Sequence, residues 1–516
     1  MEQQLTLDLV HDLCEKLDAE EIAYCHWKSN AMLDRSASGE NDLDILIKRA
    51  DAQRFTHILY QLGFKGAQAI PKRRYPGIKH FCGYDARSDR IVDVHAHYQL
   101  ILGNDLLKNY HLLLEQPFLE SAVQDEPFKV PAPELEFIVF VIRMILKRPF
   151  FCLGKWKSLN ASARLLPLRL LHKVFSLGKW KSLNASENQE LEYLLSKICQ
   201  DRMNTMLAEY LPYVSPQLLA DCIDSLEPDC SRRKRTKSSW RLRHALRASS
   251  RYSWFVAAML RMWRRFAGKF RVRFIKFWSR KRLAHGGKLV AIVGGDGAGK
   301  STAVQALSHW LAKDWDTMSV HLGKPPKSWF THIVIQVRRV HFHTHRLLGG
   351  KKRLQRLSDS GLPTPIGFLR ASRYVCLARD RYKIYLKARR FASNGGIAIC
   401  DRYPLPQIIQ MDGPWLDRLE KDKEIKKPYS RAVQFLAKIE QGYYRQIRLP
   451  DLLVVLRILP KIAVQRKIEE DAEFVRTRCQ EIWESDWEKT PAHVIDASQP
   501  QAKVLSELKT LIWSEL

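Results

Sequence analysis

The chain has 516 residues, of which 46% are hydrophobic and 27% charged, and its formal net charge is +30. That length predicts two or three domains, and the hydrophobic content excludes a mostly disordered protein. The longest apolar run, FIVFVI, is too short to cross a bilayer, and the first residues include acidic ones where a signal peptide would be basic and apolar. The ten cysteines include no CxxC pair. From these features we interpret the chain as a reduced, cytoplasmic protein.

Residues 1–110 alternate helix-like and strand-like patterns and are predicted to form a first domain. In GENDLDILI, Asp42 and Asp44 precede an apolar run, so on a strand both side chains would leave the same face. A third carboxylate, Asp93, lies in the later strand-like run RIVDVHAHY. Like charges this close favour a bound cation.

This pattern resembles the nucleotidyltransferases of the polymerase-β type, in which DxD and a later strand aspartate hold two magnesium ions. The resemblance implies an α+β nucleotidyltransferase-like fold, with Asp42, Asp44 and Asp93 as metal ligands. Ser29 in HWKSN then takes the position of the fold's Gly-Ser turn, with Lys28 in place of the glycine. His95 and His97 are either further ligands or histidines packed at the edge of a cleft.

Residues 111–230 are predicted to be a mostly helical domain, with LEFIVFVIRMILKR and ELEYLLSKI as examples. The ten-residue stretch LGKWKSLNAS occurs at 153–162 and again at 177–186. A solenoid needs at least three copies, so we interpret the pair as an insertion without a function of its own.

Residues 231–287 form a basic segment that we interpret as an amphipathic linker. No Asp or Glu occurs from Ser231 to Gly295, whereas residues 232–288 contain 20 Lys and Arg. Apolar residues recur at helical spacing from Tyr252 to Trp278, with arginines between them. The segment 240–282 would suit an anionic membrane surface, which would make the protein peripheral at the inner face of the membrane. A helix docked on one of the domains and nucleic-acid binding stay open as alternatives. A homodimer is a separate expectation for the whole chain.

Residues 288–516 are predicted to be an α/β domain. Short apolar runs at 289–293, 317–322, 397–400, 452–456 and 493–496 alternate with helical stretches. This alternation predicts a five-stranded parallel sheet flanked by helices, with ligands at the carboxyl ends of its strands.

The first of these strands leads into GGDGAGKST, which fits the phosphate-binding pattern GxxxxGK[ST]. Its glycines let backbone N–H groups surround phosphates, Lys300 reaches the β and γ phosphates of ATP, and the Ser301 hydroxyl holds Mg²⁺. A later strand ends in CDRY, with Asp401 and Arg402 placed to orient a magnesium-bound water or grip a phosphate. ATP and Mg²⁺ are therefore the expected cofactors.

With DGAGKST, CDRY, PDLLVVLRILPKIAVQRK and VIDASQP, residues 288–516 resemble the thymidylate kinase family of P-loop nucleoside monophosphate kinases. By that resemblance the nucleotide-binding residues are Gly294, Gly297, Gly299, Lys300, Ser301, Thr302 and Asp496. The acceptor-binding residues are Arg379, Arg381, Asp401 and Arg402. The lid charges are Arg466, Lys467, Arg476 and Arg478. The catalytic residues are Lys300, Asp401, Arg402, Arg466 and Arg476.

The stretch after DRY reads PLPQIIQMDGPWL where the family has a serine-rich stretch ending in Tyr-Gln-Gly, so the acceptor is not assigned as thymidylate. Our main prediction is an ATP-dependent kinase for a phosphorylated or hydroxyl acceptor. One alternative makes the N-terminal domain a working nucleotidyltransferase, with the P-loop domain regulatory. The other is an ATP-binding assembly factor on a membrane or a nucleic acid.

Overall fold

A computed structural model describes residues 6–71, 74–104, 107–148, 182–274, 280–347, 367–406, 408, 413–416, 430–467 and 469–516. Contacts divide the chain into two compact units, Met1–Ser279 and Arg280–Leu516. None of the helices within these ranges combines the length and the apolar composition needed to cross a bilayer.

The described residues of the first unit contain ten α-helices and nine strands. The helices are α1 Asp8–Ala19, α2 Leu33–Ala37, α3 Ala52–Gln61, α4 Glu115–Glu120, α5 Pro133–Lys147, α6 Ala185–Lys197, α7 Gln200–Tyr210, α8 Pro216–Asp224, α9 Arg232–Ala245 and α10 Trp254–Phe274. The strands are β1 Tyr24–His26, β2 Leu43–Ile47, β3 Lys65–Gln68, β4 Ile78–Asp85, β5 Arg90–His97, β6 Leu100–Leu102, β7 Tyr110–Leu112, β8 Val123–Asp125 and β9 Phe128–Val130.

Five strands of this unit pair in the order β1-β2-β5-β4-β3. The β2–β5 pair is parallel and the others are antiparallel. Helices α1 and α3 pack their apolar stripes against the sheet, so that Leu13, Phe55 and Ile58 are fully buried. Burial of side chains of this size is the main stabilising contribution to such a core.

A second core of the same unit is built around α5, as the apolar run 135–146 predicts. Eleven of these twelve positions are buried, from Leu135 to Leu146 with Arg143 as the exception. The described part of the LGKWKSLNAS repeat is residues 182–186, and the rest lies outside the described residues. Asn184 from this part caps α6 by accepting a hydrogen bond from the Glu187 N–H at 2.8 Å.

The first helix of the basic segment, α9, packs on the first unit, in line with the alternative of a helix docked on one of the domains. Leu242 and Leu246, four residues apart on one helical face, are fully buried in the core around α5. Arg243 donates to the carbonyl oxygen of Arg148 at 2.9 Å, just beyond the end of α5. A segment rich in charge is therefore held by two leucines and by an arginine bond to a backbone carbonyl at the end of α5.

The first turns of α10 expose large apolar side chains. Trp254, Phe255 and Trp263 are 62%, 66% and 67% exposed. Membrane binding through residues 240–282, nucleic-acid binding and a homodimer stay predictions.

The second unit consists of a central sheet with helices on both sides. Its strands are β10 Arg282–Leu283, β11 Leu289–Gly294, β12 Thr317–His321, β13 Ile397–Asp401, β14 Leu452–Arg457 and β15 Ala492–Asp496. Its described helices are α11 Lys300–Leu311, α12 Trp329–Leu347, α13 Phe368–Ser393, α14 Arg431–Arg445, α15 Pro460–Arg466, α16 Ala472–Glu484 and α17 Gln501–Glu515.

Strands β11 to β15 form the predicted five-stranded parallel sheet, in the order β12-β13-β11-β14-β15. Every residue of β11 and β13 is buried, which explains their uninterrupted apolar runs. The strand order reverses beside β11, so the carboxyl ends of β11 and β13 border the crevice where ligands bind in open parallel sheets.

Candidate functional site

The glycine-rich loop follows β11 and leads directly into α11. Gly297 and Gly299 have φ angles of +81° and +79°, a region that residues with a Cβ rarely adopt. A Cβ at Gly294 would lie 2.5 Å from the carbonyl oxygen of Leu456, so this position also requires glycine. A glycine-rich turn that leads into a helix N-terminus in this way is the backbone arrangement of many anion sites.

Lys300 is the first residue of α11 and is only 6% exposed. Its Nζ donates to the carbonyl oxygen of Gly295 at 2.6 Å and lies 4.0 Å from Asp296 Oδ1. Burial, reinforced by the nearby charge of Arg402, lowers the pKa of Lys300 to about 8. The amine is still largely protonated at neutral pH, and its contacts with Gly295 and Asp296 connect the start of α11 to the loop.

Asp296 is the acidic centre of the loop and was not among the predicted site residues. It accepts from Arg402 Nη2 at 3.2 Å and from Arg478 Nη1 at 3.0 Å. Burial would raise the pKa of Asp296, but Lys300, Arg478 and Arg402 together hold it below its usual range. One carboxylate therefore sets the positions of three cations around the loop.

Arg402 itself has a φ of +63°, an uncommon conformation for a residue with a side chain. Its N–H donates to the carbonyl oxygen of Ile292 in β11 at 3.1 Å. The backbone strain, about 1–3 kcal/mol, turns the arginine from the end of β13 toward the loop.

Asp401 ends β13 beside the start of α11, as predicted. Its Oδ2 accepts from the Ser301 hydroxyl at 2.8 Å, and His321 Nε2 lies 3.9 Å from the same oxygen. Its Oδ1 is buried and has no hydrogen-bond partner among the described residues. A hydroxyl and carboxylate oxygens are ligands that Mg²⁺ and its waters prefer, so the pair Ser301 and Asp401 fits this ion.

A cavity of about 350 Å³ opens beside the loop, within the size range of small-molecule sites. It is lined by Gly297, Ala298, Gly299, Thr302, Ala303, Leu456, Arg466, Ala497, Gln499, Gln501, Val504 and Leu505. The Gln499 Oε1 is buried and has no hydrogen-bond partner within the described part of the chain. Asp496, predicted to bind the nucleotide, is exposed and instead accepts from the Ser498 N–H at 2.8 Å.

The four predicted lid residues have different positions and contacts in the structure. Arg466 donates to the carbonyl oxygen of Ala497 at 3.0 Å and lines the cavity. Arg476 lies on the exposed side of α16, whereas Arg478 reaches Asp296. Lys467 pairs with Glu470 at 2.9 Å. Arg478 is therefore a better candidate than Arg476 for charge at the loop, and the role of Arg476 stays a prediction.

The two predicted acceptor arginines lie on α13 and hold the segment that follows β12. Arg381 is buried and donates to the carbonyl oxygens of Leu322 at 2.6 Å and Gly323 at 3.1 Å. Arg379 donates to the Ser328 hydroxyl at 2.7 Å. Contact with an acceptor stays a prediction, and the observed contacts make both residues supports for this segment.

In the first unit, the three predicted carboxylates are not grouped closely enough to share a single metal ion. The Asp42, Asp44 and Asp93 oxygens form no group within 4.8 Å of one another in the described residues. Lys28 Nζ lies 2.7 Å from Asp44 Oδ2, so the cation at Asp44 is an ammonium group. His95 lies between two of these aspartates. Its Nδ1 is 3.5 Å from Asp44 Oδ1, and its Nε2 is 3.6 Å from Asp93 Oδ2.

Asp44 remains ionised in this setting. Burial would raise its pKa, but Lys28, His95 and His97 hold it well below the usual range. Ser29 has a φ of +62°, and its N–H donates to Glu190 Oε1 at 3.1 Å. The two-magnesium nucleotidyltransferase site of the three aspartates stays a prediction. The Lys28 ammonium group lies where an ion bound to Asp44 Oδ2 would be.

Comparisons with known proteins give limited matches. No protein-family model matches the chain. It is 25% identical over 228 residues to the "Uncharacterized ATP-binding protein YghR" of Escherichia coli K12, covering 43% of this chain and 86% of that protein. The same protein from E. coli O6:H1 matches equally. A deoxyadenosine kinase from M. mycoides with bound dATP aligns with 43% of this chain and 98% of its own, at 16% identity and a TM-score of 0.26, too low to support an inference.

We predict that Asp296→Asn destabilises the second unit by about 3 kcal/mol at pH 7, because it removes a buried negative charge that pairs with two half-buried arginines. The native pKa of Asp296 is below its unfolded value, so this contribution is present above the unfolded pKa and is lost as the pH falls through the native pKa. Thermal unfolding of both proteins from pH 7 to pH 3 measures it. The difference should shrink with acidity, and a constant difference would contradict the charge argument.

Proposed function

We propose that the second unit is an ATP-dependent kinase that transfers the γ-phosphoryl group of Mg-ATP to a small acceptor. The observation that carries this proposal is the joint placement of Lys300, Ser301 and Asp401 at the ends of β11 and β13, under a loop with two left-handed glycines. Phosphoryl transfer requires chiefly positioning and charge neutralisation, and this arrangement supplies both. The ATP-binding description of the E. coli relative supports the same proposal.

Each residue then has a defined role. The loop N–H groups and Lys300 bind the β and γ phosphates. Ser301 and Asp401 would hold Mg²⁺, directly or through its waters, and the ion would screen charge between the phosphates. Arg402 and Arg478, both held by Asp296, stabilise negative charge on the transferring group.

The cavity beside the loop would take the nucleoside of ATP. Its lining is mostly backbone and aliphatic side chains, which suits a flat base, and Gln499 supplies the polar contact that sets base preference. The carboxamide has both a donor and an acceptor end, so it can pair with the adenine edge.

On the acceptor side, α13 supports the segment after β12 through Arg379 and Arg381. In the thymidylate kinases that this unit resembles, the acceptor is a nucleoside monophosphate. The sequence after CDRY departs from that family, so we propose the coarser class of a small phosphorylated or hydroxyl acceptor.

Transfer of label from ATP tests the proposal. Purified protein is incubated with Mg²⁺, a small-molecule extract and ATP labelled at either the α or the γ phosphorus. We predict transfer of γ label and a loss of about 10²-fold or more in Lys300→Met, because an electrostatic contact to the transferring group is removed. The matched control Lys313→Met changes an exposed lysine after the same helix and should behave as wild type.

Two results would contradict the proposal. Transfer of γ label that is equal in wild type and Lys300→Met would place the activity elsewhere. Transfer of α label alone would favour the nucleotidyltransferase alternative in the first unit.

Base preference gives a separate prediction. Gln499→Leu should weaken ATP binding by about 10-fold, since the hydrogen bonds to the base are lost while the cavity keeps its volume. Binding of inorganic triphosphate, which has no base, should be unchanged. Isothermal titration of both ligands measures this, and equal losses for both would show that Gln499 acts on the fold of the loop instead.

A further inference from the structure

We propose that the β4–β5 hairpin of the first unit binds a divalent transition-metal ion of the zinc class, with His80, Asp93 and His95 as its protein ligands. One ligand atom from each of these residues lies within 4.8 Å of the other two. All three side chains are half-buried. The site is distinct from the P-loop, and Asp93 is the one residue that it shares with the predicted magnesium site of Asp42, Asp44 and Asp93.

The sheet register places these ligands. Strands β4 and β5 are antiparallel, and His80 lies directly opposite His95, with Cys82 opposite Asp93. Side chains two residues apart on a strand share a face, so Asp93 and His95 project on the same side as His80. The two imidazole rings pack edge to face with centroids 4.4 Å apart. The hairpin backbone thus fixes the ligand positions.

The distances fit a small coordination sphere. His95 Nε2 lies 3.6 Å from Asp93 Oδ2. Two ligands about 2.0–2.1 Å from a tetrahedral zinc ion lie roughly 3.3 Å apart, so a small inward movement would complete the geometry.

An independent feature supports metal binding: the second nitrogen of His95 has its own carboxylate partners. His95 Nδ1 lies 3.5 Å from Asp44 Oδ1 and 3.7 Å from Asp42 Oδ2. Histidines that bind metals usually donate their other N–H to a carboxylate, which fixes the tautomer and raises the basicity of the ligating nitrogen. The DxD pair would thereby act as a support for a ligand.

The donor set indicates the class of ion. Two imidazole nitrogens and one carboxylate oxygen favour zinc or a neighbouring transition ion, whereas Mg²⁺ prefers oxygen ligands alone. Three protein ligands leave a fourth position for water, and the half-buried setting gives solvent access to it. An ion there would carry an exchangeable water beside Asp93.

Cobalt titration of the full-length protein tests this site. The protein is treated with a chelator, dialysed into buffer with excess Mg²⁺ to occupy oxygen-only sites, and titrated with Co²⁺ while visible absorption is recorded. We expect one equivalent to bind with the intense absorption of a four-coordinate ion. Zn²⁺ should then displace it. His80→Gln and Asp93→Asn should each weaken binding by about 100-fold.

A control comes from the second group of potential ligands, His11, Asp12 and Glu15, all of which are exposed. His11→Gln should leave Co²⁺ binding unchanged. Wild-type protein that develops no such absorption would overturn the proposal, as would full binding in His80→Gln or loss of binding in His11→Gln. Circular dichroism of each metal-free variant verifies its fold, and a wild-type titration without this absorption overturns the proposal even if a variant fails to fold.

Discussion

The second unit depends on one electrostatic constraint: several cations are gathered at the end of a buried strand, and they repel one another unless an anion lies between them. Asp296 supplies that anion from inside the glycine-rich loop, in contact with Arg402 and Arg478. Burial of such a group without its partners would cost several kcal/mol. The loop, the end of β13 and α16 are therefore tied together through a single carboxylate.

The same constraint prepares the site for a phosphate chain. Each cation is held in place before a ligand binds, so the proposed binding of ATP would require little reorganisation. This arrangement depends on the left-handed glycines, on the strained φ of Arg402 and on the buried position of Lys300. Strain and buried charge at one place, opposed by a well-packed sheet behind it, are typical of sites that bind and transform ligands.

Local patterns were sufficient to predict much of this. The five apolar runs became the five parallel strands, and the spacing of Gly294, Gly299, Lys300 and Ser301 predicted the loop because its geometry is specified by adjacent residues. The partners of Asp296 could not be predicted, since Arg478 is far along the chain and only tertiary packing brings it near. The carbonyl contacts of Arg381 were missed for the same reason, because backbone acceptors leave no mark in the sequence.

In the first unit, the DxD motif makes contacts that the sequence did not predict. Asp42 and Asp44 lie beside β5 as predicted for a shared sheet face, yet Lys28 pairs with Asp44 and His95 separates the pair from Asp93. A lysine 16 positions before Asp44 gives no sequence signal of this contact. The opposition of His80 and His95 depends on the β4–β5 register, which the structure supplies.

A crystal structure of the protein with Mg²⁺ and a non-hydrolysable ATP analogue would show whether the Asp296 loop holds the phosphates of ATP. We expect the β and γ phosphates within hydrogen-bond distance of Lys300 and the loop N–H groups, Mg²⁺ at Ser301, and the base beside Gln499. A nucleotide bound elsewhere, or a triphosphate that leaves the Asp296 loop without contact, would contradict it.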